Sequence, residues 1–450
     1  MRLTKKTIVP ALLCLAAVFA AATLTGCLRM AADDLYSLPQ ASEDYLRLQG
    51  QINTVLSQGA EFSPPRSGFH RQAVQLIDLD GDGVDEAIAF FAVPSDSTLK
   101  IYIYQMVNGY YSIAEIVEGV GTAIESVRYV DMDGDGVMEI IVGWQMGDYL
   151  KLMSIYSIKN FHSVLLGTAE YEGITAYDLN GDGNDDIIAI RLPTQESSAV
   201  AEAFMLMPDG ELVSSEARLS HNIDIVSRVL TGRLIDNVPA IFVESEGRFD
   251  DGILVTDICV YRDGGLVNIS LRGESGVSDD TVRTRRILCS DVNNDGIIKV
   301  PVPRLLKAQS ETVYHAIDWY SFSSTGFSRL ALTTYHNNTD EWFLILPIDW
   351  RGKVSVRRED VVTGERTVIF SYIAGEDGPY MDFLKIHRIT GETREERAEQ
   401  PGRVLLFSEG MAVYAFELLE PPNSFGLTFD EPLIRENFRL IYSDWLAGTI

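Results

Sequence analysis

One acidic loop is written three times in this chain: Asp78-Leu79-Asp80-Gly81-Asp82-Gly83, Asp131-Met132-Asp133-Gly134-Asp135-Gly136 and Asp178-Leu179-Asn180-Gly181-Asp182-Gly183. Each copy runs on to a carboxylate at its ninth position, Glu86, Glu139 or Asp186. Oxygen side chains at positions one, three, five and nine of a tight loop, with a backbone carbonyl at position seven, make an all-oxygen cage of the kind that hard Ca²⁺ prefers. The copies recur at intervals of about 50 residues, the period of a supersecondary unit. Two worn units continue the series. Asp291-Val292-Asn293-Asn294-Asp295-Gly296 repeats the pattern, and midway to it Thr231 to Pro239 leads into the apolar run Ala240-Ile241-Phe242-Val243. The competing reading, solvated acidic turns that bind nothing, would have to produce one spacing three times by accident.

The flanks decide which fold carries the loop. An EF-hand needs helices on both sides and a bidentate Glu at position 12. Position 12 is Ala89, Val142 or Ala189, and the flanks Val74-Gln75-Leu76-Ile77 and Ala87-Ile88-Ala89-Phe90-Phe91 read as strands. Further along each unit comes a turn signal: Asn108-Gly109, Lys159-Asn160, Asp209-Gly210, Asp263-Gly264 and Thr325-Gly326. Such pairs supply the positive φ values of two-residue hairpins. The unit is therefore strand, acidic loop, strand, connection, strand, tight turn, strand. Four antiparallel strands make one propeller blade, and blades must stack to bury both of their faces. The sequence predicts an all-β chain, a β-propeller of four-stranded antiparallel blades with short helices at either end. At about 55 residues per blade seven blades are favoured, with six or eight as the alternatives.

At this point the chain resembles the calcium-loop propellers of the FG-GAP and VCBS repeat families, the architecture of the integrin alpha-subunit head. The resemblance rests on the loops and covers residues from about 68 to 300, with extrapolation to about 420. The Phe-Gly and Gly-Ala-Pro signatures of the integrin repeat are absent from these units. The resemblance implies about three Ca²⁺ sites. Their ligands would be Asp78, Asp80, Asp82 and Glu86; Asp131, Asp133, Asp135 and Glu139; and Asp178, Asn180, Asp182 and Asp186. Val84, Val137 and Asn184 would contribute backbone carbonyls. The loop of Asp291, Asn293 and Asp295 departs from the pattern, because Lys299 stands where the ninth-position carboxylate should be. An ammonium group repels Ca²⁺, and the expectation is that Lys299 folds inward as an internal counter-ion for Asp291 and Asp295.

Residues 1–26 have the three parts of a secretory signal: a basic start at Arg2, Lys5 and Lys6, an apolar run from Ile8 to Ala22, and a small-residue exit. Leu24-Thr25-Gly26-Cys27 resembles the bacterial lipobox, which implies that Cys27 is lipidated and anchors an exported chain to the extracytoplasmic side of a membrane. Residues 27–41 read as a tether and 42–67 as an amphipathic helix and lead-in, with Tyr45, Leu48, Ile52, Val55 and Leu56 at helical spacing. Residues 68–450 read as the propeller. They end in a helix near 431–445 capped by Asp430, with Pro432 in its first turn and Ile434, Phe438, Ile441 and Trp445 on one stripe. Arg394 to Gln400 reads as a charged loop. Cys259 and Cys289 read as small buried hydrophobes, with a disulfide allowed by the compartment.

The formal net charge is −28, and loss of the signal makes it more negative. Nucleic acid demands a basic face, so it is excluded as a partner. No nucleophile elbow, zinc-binding helix or phosphate loop is present. The six histidines are scattered, and His315 near Asp318 is the one placement singled out. Two functions remain. The first is a surface-displayed, calcium-stabilised binding module for a protein or glycan, without enzymatic activity. The alternative is a propeller lyase or hydrolase acting on extracellular polysaccharide. Trp144, Trp319, Trp342 and Trp350 are the candidates for a glycan-stacking platform.

Overall fold

The computed structural model describes residues 43–94, 98–195, 197–247, 253–307, 309, 311–360, 362–375 and 378–441. The signal segment, Cys27, the tether and Trp445 lie outside the described residues. Two compact units are present. Of the described residues, one holds those up to Gly59 together with Gln105–Ser112, and the other holds Ala60–Tyr104 and those from Ile113 onward. In the first, helix α1 (Glu43–Ser57) buries Leu48, Ile52 and Val55, and the Arg47 guanidinium lies 3.9 Å from the centre of the Tyr110 ring. Among the described residues no helix is long and apolar enough to cross a membrane.

Among the described residues the β-structure is ordered as six antiparallel sheets in chain sequence. The first comprises Val74–Ile77, Glu86–Val93, Thr98–Val107 and Tyr110–Glu118, with Glu61–Phe62 added beside its second strand. The second comprises Ala123–Val130, Glu139–Gln145, Lys151–Ser157 and Val164–Glu170, and the third Gly173–Tyr177, Asp186–Arg191, Val200–Leu206 and Leu212–Arg218. The fourth runs Ile223–Arg233, Pro239–Gly247, Leu254–Arg262 and Gly265–Asn268. In the fifth, Lys299–Leu305, His315–Phe322, Ser328–Asn337 and Trp342–Leu346 are joined by Phe438–Leu440. The sixth contains Val354–Glu359, Glu365–Ile373, Tyr380–Thr390, Ala412–Leu418 and Arg403–Glu409. The fold is all-β, a β-propeller built of four-stranded antiparallel blades.

The second strand of each early blade is buried along most of its length, Ala87 to Phe91 and Ile140 to Trp144 for example, because both faces of its sheet are covered. The cores lie between consecutive sheets. One joins Phe90 and Ile101 of the first sheet to Val142 and Trp144 of the second, another joins Ile141 and Ile155 to Ile187 and Phe204, and a third joins Ile188 and Ala201 to Ile241 and Val243. Phe242 and Val260 meet Val300 and Phe322, and Tyr335 and Trp342 meet Phe370 and Phe416.

Among the described residues six sheets are seen, the lower of the alternatives beside the favoured seven. The arithmetic assumed that every residue belongs to a blade of constant length. Instead the connection from Asn268 to Lys299 is long, the sixth sheet carries an inserted helix, α2 (Arg394–Ala398), and the described residues after Leu418 form no further sheet. Helix α2 replaces the charged loop expected there, burying Ala398 against Ile389, Val413 and Ala415. The C-terminal helix is shorter than its stripe: α3 spans Glu431–Asn437, with the Asp430 carboxylate accepting a hydrogen bond from Leu433 N at 2.9 Å. Phe438 then turns extended, and Phe438–Leu440 pairs with Trp342–Leu344. Cys259 and Cys289 are both free and buried.

Candidate metal centres

Each intact acidic loop connects the first and second strands of its sheet. The local sequence explains the shape. Glycines at positions four and six hold positive φ, 72° and 85° at Gly81 and Gly83, 73° and 88° at Gly134 and Gly136, 81° and 99° at Gly181 and Gly183. A side chain is strained in that region. The same hydrogen bonds recur in every copy. The position-one carboxylate accepts from the position-six amide: Gly83 N to Asp78 at 3.0 Å, Gly136 N to Asp131 at 3.0 Å, Gly183 N to Asp178 at 3.1 Å. The position-five carboxylate accepts from the amides of Val84, Val137 and Asn184 at 2.8 to 2.9 Å. The ninth-position carboxylate reaches back to the second residue, from Leu79 N to Glu86 at 3.0 Å, Met132 N to Glu139 at 3.1 Å and Leu179 N to Asp186 at 2.9 Å.

The loops also touch one another. Met138 N donates to Leu79 O at 2.8 Å, joining the second loop to the first. A Cβ on Gly81 would lie 2.5 Å from Gly136 O, and one on Gly134 would lie 2.6 Å from the Asn184 amide oxygen. The acidic groups of three consecutive blades are thus gathered side by side.

Carboxylate oxygens of Asp78, Asp80 and Glu86 lie within 4.8 Å of one another, as do those of Asp131, Asp133 and Glu139. Asp82 and Asp135 are not part of those clusters; each turns one oxygen onto the position-seven amide, and Asp135 is further held by Lys159 Nζ at 2.7 Å. Lys159 also bonds Asp133 at 2.9 Å, and these two contacts raise the lysine pKa above its ordinary value. In the third loop the Asn180 amide nitrogen donates to Asp182 at 2.7 Å. Burial, reinforced by the neighbouring carboxylates, pushes Glu86 and Glu139 up to about 7 and Asp186 up to about 6. Asp78 Oδ1 and Glu139 Oε1 are buried without a hydrogen-bond partner. Buried carboxylate oxygens with no donor are costly. An oxygen-seeking divalent cation satisfies them, so the donor set fits Ca²⁺.

The fourth loop keeps the frame without the ninth acid. Gly296 N donates to Asp291 at 2.7 Å and Ile297 N to Asp295 at 2.9 Å, while Asn294 takes the positive φ of 56° that glycine holds elsewhere. Lys299 is 1% exposed, and its Nζ lies 2.6 Å from Asp295, 3.0 Å from Ile297 O and 3.6 Å from Asp291. The ammonium group stands among the loop oxygens as the sequence anticipated.

Other expectations fare differently. Trp144, Trp319, Trp342 and Trp350 are all buried, so they form no glycan platform. Asp318 is ringed by Arg304, Arg351 and Thr333, while His315 lines a cavity beside Arg285. Sequence reasoning missed the buried network at Glu244, which takes Arg283 at 2.6 Å and Arg228 Nε at 2.8 Å. It missed Asp257 as well, which accepts from Ser220, Ser278 and Asn268. These partners are separated by tens of residues and no local pattern marks them.

Residues 78–142 match the family model of the FG-GAP-like repeat, a span that opens on the first acidic loop and closes in the strand after the second. The chain therefore carries a repeat of this type on a propeller fold. Among solved structures it is similar to a putative 6-phosphogluconolactonase from Bacteroides fragilis NCTC 9343, at 9% identity and a TM-score of 0.24, over 70% of this chain and 84% of that one. Comparison with curated proteins gives no match.

Proposed function

We propose that this chain is a lipid-anchored, surface-exposed propeller whose acidic loops bind about three Ca²⁺ ions as structural clips, and that it serves as a binding module for a protein or glycan partner in the cell envelope. The observation that carries the reading is the shared geometry of three adjoining loops, the first two of which each hold a buried carboxylate oxygen with no donor, on Asp78 and Glu139. The ions would be held by Asp78, Asp80, Asp82 and Glu86, by Asp131, Asp133, Asp135 and Glu139, and by Asp178, Asn180, Asp182 and Asp186, with backbone oxygens of Val84, Val137 and Asn184. Calcium supplies charge compensation there and no chemistry on a substrate. The anchor would be Cys27, acylated after removal of residues 1–26.

Calorimetric titration of calcium into the chelated chain lacking residues 1–27 tests this, with a melting curve alongside. Uptake near three ions with a raised melting temperature supports the clips. No uptake sinks the metal assignment and leaves only the repeat architecture.

A further inference from the structure

A cavity of about 190 Å³ lies among residues of the fourth and fifth sheets and the connection between them, and its lining reverses the sign of the chain around it. Arg228, Arg285 and Arg286 line it together with His315, Tyr314 and Ile287, and no carboxylate does. The formal charge of the whole chain is −28, so a purely cationic pocket is not what composition alone would place there.

The wall behind it has more guanidinium groups than acids. Glu244 is fully buried and serves two arginines, Arg283 at 2.6 Å and Arg228 Nε at 2.8 Å. Arg286 reaches Glu246 at 3.1 Å. Arg285 is exposed and takes part in none of these ion pairs among the described residues. Four guanidinium groups therefore stand against two carboxylates, with one of the surplus charges in the buried Glu244 cluster. The buried Arg283 and Arg228 are further satisfied by Thr256, Thr281, Ile287 and Cys289, whereas Arg285 is exposed at the cavity with its fork open to a ligand, and guanidinium forks match planar oxyanions. Burial and the Arg285 charge push the His315 pKa down, so the imidazole adds a neutral hydrogen-bonding edge. The remaining walls include Leu288, Val313 and Ile317, which suit a head with few polar oxygens better than a phosphate.

We propose that this cavity binds the carboxylate of a small organic acid, with Arg285 as the principal head-group contact and Tyr314 and Ile287 bounding the body. The proposal goes beyond the calcium reading and is independent of it.

Ligand-observed saturation-transfer NMR on the chain lacking residues 1–27, run both with and without added calcium, tests it with two probe pairs, benzoate against benzamide and galacturonate against galactose. At least one acid is expected to bind about ten-fold more tightly than its neutral partner, the ratio that about 1.4 kcal/mol supplies. Arg285→Gln is expected to remove that preference, while Arg394→Gln, on helix α2, leaves it intact. Acid and neutral probes binding alike, no binding by either acid, an unchanged preference in Arg285→Gln, or inorganic phosphate outcompeting the preferred acid would each overturn the proposal. Should Arg285→Gln fail to fold, the paired probes on the unaltered chain decide alone. Because the calcium titration reads a different site, failure here leaves the loop assignment standing.

Discussion

Lys299 shows what the ninth loop position does. In the intact loops that position is a buried acid; in the fourth it is an ammonium group 2.6 Å from Asp295. The rest of that loop retains its oxygens and turns, so Lys299→Glu is expected to create a fourth calcium site, read as one more ion per chain in the calorimeter. A variant that gains no ion refutes the view that the lysine stands in for the metal. Lys299→Met should instead cost about 1–3 kcal/mol in a urea melt, less than the cost of breaking a fully buried pair because Asp295 is 44% exposed. His387 carries a second residue-scale consequence. Its Nδ1 lies 3.0 Å from Thr367 Oγ1 and 3.1 Å from Glu365, with Lys385, Arg403 and Glu417 lining the same cavity. Burial, aided by Arg403, pushes its pKa down to about 4. The unfolded chain takes up that proton near pH 6.5, as about the model-peptide value dictates, and the folded chain refuses it until about 4. Stability from this group is present above about pH 6.5 and is lost as pH falls towards 4, by up to about 3 kcal/mol. Urea midpoints at pH 7 and 4.5 should therefore lie closer together in His387→Gln than in the parent. A remainder is expected from His336, which burial holds near 3.

At the scale of elements, the C-terminal segment shows tertiary structure overriding periodicity. Ile434 and Phe438 fall on one helical stripe, yet the helix stops at Asn437 and Phe438 enters a strand. The edge strand Trp342–Leu346 offers backbone partners there, and Phe438 packs 5.6 Å from both Trp342 and Tyr414 by ring centres. Phe438→Ala is expected to cost about 3–5 kcal/mol, read by chemical denaturation, because a buried ring is removed from a shared core. Asp430→Ala should cost only about 1 kcal/mol, the usual value of an N-cap. The same contrast explains how much was legible. Loop geometry is local: Gly81 and Gly83, or Asn294 in the worn copy, must accept positive φ, so spacing alone located them. The turn at Asn108-Gly109, with φ of 54° and 80°, was legible for the same reason. Helix α2 was not, because it fully buries only Ala398, while Glu395 and Glu396 face water and Arg397 is tied to the backbone of Thr363 and Thr390. Neither was the Arg283–Glu244–Arg228 cluster, whose members come together only once the fourth sheet and its long following connection have folded.

For the whole molecule, the decisive fact is that three acidic loops from consecutive blades adjoin while the fourth carries its own cation. At neutral pH each intact loop concentrates carboxylates beside those of its neighbour, a repulsion that three Ca²⁺ ions would offset by six units of charge. Filling each site at a few times its dissociation constant contributes about 1 kcal/mol. For a chain of this size that corresponds to about 1 °C per site, so calcium should raise the melting temperature by about 3–4 °C in total. Chelation should not loosen the molecule evenly. Hydrogen exchange is expected to accelerate at Leu79, Met132 and Leu179, whose amides bond the ninth-position acids, and through the Met138 N to Leu79 O link between loops. Ile297 and Lys299 should keep their protection, since the Lys299 ammonium group is not removed by a chelator. The fourth loop thereby serves as an internal control within one experiment. Uniform acceleration across all four would mean that calcium acts through global stability alone. Unchanged exchange in the first three would mean that the hydrogen bonds among loop residues hold these turns without metal.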